Sequence, residues 1–250
     1  MIILQNVSKS FFAGLPSEVK AVQNITLNFE EGERVILAGN NGSGKSTLLN
    51  ILSGTVTPDS GKIIFHGKDI TQLAEHKRAP FISRIFQNPL AGTAPQLTVA
   101  ENFRLATLRS RNKKLSIGLT KTFKKEIAGI IASLQLGIEN KLNTPIGQLS
   151  GGQRQALTLL MASMSGAKIM LMDEPAAALD PKTGALVMKL ADRIIRENNM
   201  TAVLVTHNIK DMLNYGKRLL FMSEGKMVKD ISAEEKQKLT SNDILGWFEG

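Results

Sequence analysis

Residues 39–47 read Gly39-Asn40-Asn41-Gly42-Ser43-Gly44-Lys45-Ser46-Thr47, and the apolar run Val35-Ile36-Leu37-Ala38 leads straight into them. The stretch matches G-x-x-x-x-G-K-[ST] and sits where that motif belongs, between a buried-strand pattern and a helix. Its glycines let successive backbone N–H groups turn inward on phosphate oxygens, and the following helix adds its positive dipole end. Lys45 is then the contact for the β and γ phosphates, and the Ser46 hydroxyl is a ligand for Mg²⁺. A plain glycine turn is the bland alternative, but it leaves the strand before and the helix after without a reason. The expectation is a nucleotide site.

Outward from this loop, residues 2–7 and 21–29 predict strands, the second alternating. A helix is expected from Lys45 to Gly54, and Pro58-Asp59-Ser60-Gly61 turns the chain into a strand at 62–65. Residues 82–86 read as another short strand. From Asn88 the character changes: Thr98-Val99-Ala100-Glu101 is a capping box, a basic stretch follows, and 120–136 is expected to be helical up to Gly137. The α/β alternation resumes with a strand at 168–173, a helix from Pro181, strands at 202–206 and 218–223, and a hairpin at Glu224-Gly225 into 226–231. Residues 232–235 open a last helical segment. Alternating strands and helices predict an α/β fold with a mostly parallel sheet and phosphates at its carboxyl edge, carrying a helical insertion.

The strand Ile169-Met170-Leu171-Met172 ends in Asp173-Glu174. Such a pair suits an Mg²⁺ shell at Asp173 and a carboxylate at Glu174 that polarises the attacking water. Many strands end in Asp-Glu, so this pattern takes its weight from the phosphate loop upstream.

Composition narrows the remaining classes. The 250 residues are 42% hydrophobic, as expected of a chain with a buried core. No apolar run approaches the roughly 18 to 20 residues that cross a bilayer. The start, Met1-Ile2-Ile3-Leu4-Gln5-Asn6, lacks the basic and long apolar character of a secretion signal, so a cytoplasmic location is expected. Cysteine is absent, which removes disulfides, thiolate nucleophiles and cysteine zinc sites. The net charge is +9, and Arg104, Arg109, Arg111, Lys113, Lys114, Lys121, Lys124 and Lys125 fall in one run without an acidic residue. A solvated face is the ordinary reading of such a run. An anionic membrane surface ranks next, and no nucleic-acid partner is expected, because no aromatic ladder or recognised module accompanies the charge.

About a hundred residues after the phosphate loop comes Leu149-Ser150-Gly151-Gly152-Gln153, before a helix rich in Ala, Leu and Met. A loop there offers unpaired N–H groups and a dipole to an anion, and a simple helix N-cap uses the same geometry. With Gln87 after the strand at 82–86, Ala178-Leu179-Asp180, and His207 after a strand, the chain resembles the ABC ATPases over essentially its whole length. The resemblance implies a P-loop NTPase core with an N-terminal antiparallel β subdomain and an inserted α-helical signature subdomain. It implies one domain over 1–250, with 1–87 and 166–250 as core and 88–165 as insertion.

The resemblance also assigns roles. Ser150, Gly151, Gly152 and Gln153 meet the ATP held by the opposite subunit. Gln87 joins the Mg²⁺ and water shell and links to the insertion, while His207 matches the switch histidine that donates to the γ-phosphate. Asp180 matches the aspartate that connects the two sites of the dimer, with an N-cap before Pro181 as its plain alternative. Ala177 stands where the family often has serine. Phe11 aligns with the adenine-stacking aromatic, with Phe12 as the alternative. His66 and His76 match nothing and read as surface residues, and Met161, Met164, Met170 and Met172 read as core filler.

On this resemblance the chain is expected to bind and hydrolyse ATP with Mg²⁺ as a homodimer. It would be peripheral on the inner face of the cell membrane through a separate integral permease, with a solute-binding protein if it serves an importer. Gly92-Thr93-Ala94-Pro95 and Leu179-Asp180-Pro181-Lys182-Thr183 look most like bacterial importer ATPases of uncharacterised or aromatic-amino-acid-type uptake systems. The alternatives are a soluble ABC ATPase, such as one of iron–sulfur cluster assembly, and an efflux or lipoprotein-extraction ATPase.

Overall fold

The N-terminal strands β1 (Ile2–Phe11) and β2 (Val19–Phe29) form an antiparallel ribbon that buries Ile2, Leu4, Val7, Val22, Ile25 and Leu27. Asn6 and Asn24 adopt positive φ, where the ribbon shifts register. Next come β3 (Arg34–Gly39), α1 (Lys45–Ser53), β4 (Ser60–Phe65), β5 (Lys68–Asp69) and α2 (Glu75–Arg78). The order β2-β1-β4-β5 is antiparallel throughout, as the N-terminal β subdomain requires. The computed structural model describes residues 1–108 and 118–249.

The chain forms two compact units, one of Met1–Arg78 with Asn199–Gly250 and one of Ala79–Asn198. The second contains β6 (Ile82–Ile85), α3 (Val99–Thr107), α4 (Lys121–Ala132), a 3-10 turn at Ile146–Gln148, α5 (Gly151–Met164), β7 (Ile169–Asp173) and α6 (Pro181–Glu197). Its strands β6 and β7 pair in parallel. Thr98 and Glu101 make the expected capping box of α3. Asn102, 4% exposed, accepts from the amide of Ala94 and donates to the carbonyls of Ala94, Leu97 and Thr98, so a buried side chain shapes the loop before the helix.

The first unit resumes with β8 (Thr201–Val205), α7 (Ile209–Asn214), β9 (Arg218–Ser223), β10 (Lys226–Ile231), α8 (Ala233–Lys236) and α9 (Ser241–Glu249). Strand β3 runs parallel to both β8 and β9, and β10 returns antiparallel to β9. Every residue of β8 and all but the first of β3 are buried, so these strands read as unbroken apolar runs rather than alternating ones.

Several elements depart from expectation: β5 and α2 form between the strands expected at 62–65 and 82–86. The helix expected over 120–136 ends at Ala132: Ser133 and Leu134 bond back in 3-10 fashion, and Gln135 takes φ 55, which stops the helix before Gly137. Helix α9 was not anticipated. Its start carries a readable signal, for the amide and hydroxyl of Thr240 donate to Asp243, and the Asp243 amide donates back to the Thr240 hydroxyl. It packs Trp247 and Phe248 edge-on against Phe221 of β9. Of the basic run, Arg109, Arg111, Lys113 and Lys114 lie outside the described residues. Arg104 stacks over Phe123, and Lys124 donates to Asn143.

Candidate nucleotide site

In the first unit the loop 39–44 joins buried β3 to α1, and two glycines explain its path. Gly39 and Gly44 take φ of 145° and 101°. A Cβ on Gly39 would lie 2.1 Å from the Met222 carbonyl oxygen, and one on Gly44 would lie 2.0 Å from that of Ala21. Only glycine fits either place. The Ser43 amide donates to the Asn40 carbonyl at 3.2 Å, closing the turn. Lys45 is 6% exposed, and its ammonium donates to the carbonyls of Gly39 and Asn40, both at 2.8 Å. The loop therefore holds its own cation at the start of α1, beside the first-turn amides. This is the local electrostatics that a polyphosphate needs. Ser46 and Thr47 occupy the first turn of the helix.

Phe11 ends β1, with the Lys9 ammonium 5.7 Å from its ring centre. The strand end is pinned by Asp59, which accepts from Lys9 at 2.6 Å and from the Ser10 amide at 2.7 Å. These bonds hold the Asp59 carboxyl below its ordinary pKa, the Lys9 bond being the larger cause. Phe12 is 64% exposed at φ 56, so the next residue also presents an open ring. His207 is exposed just past β8. Asn208 caps α7, and burial raises the pKa of Asp211 in its first turn while a bond from Thr206 opposes the shift.

In the second unit Gln87 is exposed two residues after β6. Asp173 ends β7 with its carboxylate 3.9 Å from the Arg84 guanidinium, which stacks on Phe86. Glu174 follows at φ 47, a left-handed conformation rare for a residue with a Cβ and frequent at functional turns. The serine of the LSGGQ stretch is an N-cap in fact: Ser150 and Gln153 exchange bonds of 3.3 Å in a capping box on α5. The bland reading of Ser150 is thus physically true, and it leaves the serine exposed at a helix N-terminus. Gly152 is required by close approach, since a Cβ there would lie 2.0 Å from the Thr183 methyl carbon. Asp180 caps α6 by accepting from the Thr183 amide at 3.0 Å, and its bonds from Thr183 lower its pKa. Sequence reasoning missed Gln155. It is fully buried, and it donates to the Phe86 carbonyl at 3.1 Å, so α5 is tied to the residue before Gln87.

The ABC transporter family profile matches residues 22–177. The chain belongs to the ABC transporter ATP-binding family. This cassette is 42% identical over 252 aligned residues to the tyrosine transport ATP-binding protein of Clostridioides difficile, covering all of this chain and 99% of the relative. It is 33% identical to the phosphonates import ATP-binding protein PhnC of Lactococcus lactis, over 98% of each. Its fold matches the dimeric ATP-binding cassette MJ0796 in a post-hydrolysis state bound to ADP and Pi, with a TM-score of 0.79 and 30% identity over 93% of this chain and 99% of that one. The α/β P-loop fold and the ATPase activity expected of the cassette follow from this membership. Among the described residues no helix is long and apolar enough to cross a membrane.

Proposed function

We propose that this ATPase energises a separate membrane permease by closing and opening a nucleotide-bound dimer, and that the transport is import of a small solute of the amino-acid class. The observation that carries the reading is the full-length match to a tyrosine transport subunit, joined to a phosphate loop and an LSGGQ cap that both present helix N-termini. The dimeric cassette of the same fold supports the closure step.

On this reading the amides of Gly39 to Thr47 and the Lys45 ammonium bind the β and γ phosphates, and Phe11 stacks on the base. Ser150, Gly151, Gly152 and Gln153 bind the γ-phosphate held by a second copy. Ser46, Asp173 and Gln87 offer a hydroxyl, a carboxylate and an amide oxygen, a hard all-oxygen donor set that fits Mg²⁺. The ion, when bound, neutralises charge on the phosphates. Glu174 accepts the proton of the attacking water, His207 donates to the γ-phosphate, and Asp180 links one site to the other. The location is peripheral, at the permease.

The test is co-expression with a candidate permease, should a neighbouring gene encode one, followed by reconstitution in liposomes. Tyrosine or phenylalanine uptake that needs internal or external ATP on the cassette's side supports the proposal. ATP-dependent export, or ATPase activity indifferent to every amino acid and to the permease, sinks it.

A further inference from the structure

The turn between β9 and β10 lies far from the phosphate loop in sequence, yet it is bonded to that loop. Glu224 and Gly225 take φ of 47° and 77°, the positive pair of a tight two-residue hairpin. The Gly225 amide donates to the carbonyl of Ser43, inside the phosphate loop, at 3.0 Å. On its other side the Gly225 carbonyl accepts from the Gln23 amide of β2 at 2.8 Å. The Gln23 side-chain amide then donates to the Glu224 carbonyl at 2.7 Å. A Cβ on Gly225 would lie 2.6 Å from the Lys20 carbonyl oxygen, so the tip has no room for a side chain. The loop's own glycines press on the same two strands, Gly44 on Ala21 of β2 and Gly39 on Met222 of β9.

We propose that this hairpin tip, clamped by Gln23, is a brace that holds the phosphate loop in its anion-binding shape, which makes Gln23 a positioning residue for nucleotide affinity. The inference rests on the ATP-binding reading of that loop. Ser43 is 3% exposed, so water is poorly placed to replace the Gly225 amide on its carbonyl. Strand β2 pairs Val19 with Phe11 and Lys20 with Ser10, so one ribbon carries both the ring assigned to the base and the residue that clamps the brace. The brace thereby sets the register between the two ends of the bound nucleotide. It touches no reacting atom. Its loss weakens the ground state and the transition state together, which raises KM and leaves kcat alone.

Gln23→Leu keeps side-chain bulk and the backbone bond but removes the clamp. The Glu224 carbonyl it releases is at the surface and rehydrates, so the loss of stability should not exceed the net worth of that one bond. The net worth of one such bond corresponds to roughly a two- to tenfold change in an equilibrium constant. Gln23→Leu should therefore raise KM for ATP, and Kd for a fluorescent ATP analogue, by about that factor. The kcat should stay within twofold and the melting temperature should fall by no more than about 6 °C. Gly225→Ala, which strains the tip itself, should raise KM further. Asn28→Ala, which removes a remote bond from the same strand to Glu30, should leave KM where it is. Unchanged KM in both Gln23→Leu and Gly225→Ala overturns the brace, as does a KM rise matched by a fall in kcat and in melting temperature beyond those bounds. A wild-type chain that fails to bind the analogue overturns the parent reading as well, and the same titration separates the two failures.

Discussion

Replacing Arg78 with Met should destabilise the first unit by about 3 kcal/mol, although among the described residues no acidic side chain is bonded to this arginine. Arg78 is 1% exposed and donates to five backbone carbonyls: Leu73 through Nε at 2.7 Å, Ile51 and Leu52 through Nη1 at 2.9 Å, and Ile70 and Thr71 through Nη2 at 2.6 and 3.0 Å. Burial lowers its pKa to about 10. Two of the acceptors keep another donor when the guanidinium goes, Ile51 from the Gly54 amide and Ile70 from the Leu73 amide. The carbonyls of Leu52, Thr71 and Leu73 have no other donor among the described residues. Each orphaned carbonyl costs about 1 to 2 kcal/mol, and release of the buried cation from its desolvation returns part of the sum. About 3 kcal/mol remains, which for a chain of this length lowers the melting temperature by roughly 6 to 12 °C.

Urea unfolding followed by Trp247 fluorescence is the suitable assay, because the single tryptophan packs on Phe221 in the unit that contains Arg78. Arg78→Lys keeps a charge but loses the planar fork, so it should fall between wild type and Arg78→Met. An Arg78→Met variant within 1 kcal/mol of wild type would refute the reasoning, as would a lysine variant no better than methionine. Because Ile51 and Leu52 end the helix that begins at Lys45, weaker ATP binding should accompany the loss.

Three further outcomes are expected. Glu174→Gln should keep ATP binding, lose turnover by about 10² or more, and accumulate an ATP-bound dimer on a sizing column; normal turnover would remove Glu174 as the base. Gly152→Ala should cost about 1 to 3 kcal/mol, because the new methyl meets the Thr183 methyl carbon, and Thr183→Ser should restore most of it; additive losses in the double variant would exclude that contact. Lys236, whose ammonium donates to the carbonyls of Tyr215 and Gly216, has its pKa lowered by burial, then by Arg34, from 10.5 to about 8. The unfolded state therefore binds more protons between those values. This group's stabilising contribution is full above about 10.5 and lost as pH falls through about 8, and a pH series in which Lys236→Met shows the same slope as wild type would contradict it.

Much of the candidate site's backbone was legible because its geometry is local. The glycine spacing before Lys45 and Ser46, the Asp173-Glu174 strand end and the Ser150 to Gln153 turn each declare a backbone shape within a few residues, and the structure forms each one. The hairpin at Glu224-Gly225 was readable for the same reason. Gln155, Asn102 and Arg78 were not. Their patterns are those of ordinary surface side chains, and only burial against carbonyls brought from other segments gives them partners. Helix α4 ends before the Gly137 that its pattern predicts as the stop, because Gln135, a good helix former, is the residue in the left-handed conformation.

By itself the sequence determined the family, the order of strands and helices around the phosphate loop, and the residue types that can meet a triphosphate. Those are properties of short spacings, set by backbone geometry and side-chain chemistry within one turn or strand. The tertiary structure alone decided which distant segments support them. Gly225 reaches Ser43 across nearly two hundred residues, and Arg78 gathers the end of α1 with the loop after β5, because buried carbonyls must find donors wherever the packed chain provides them.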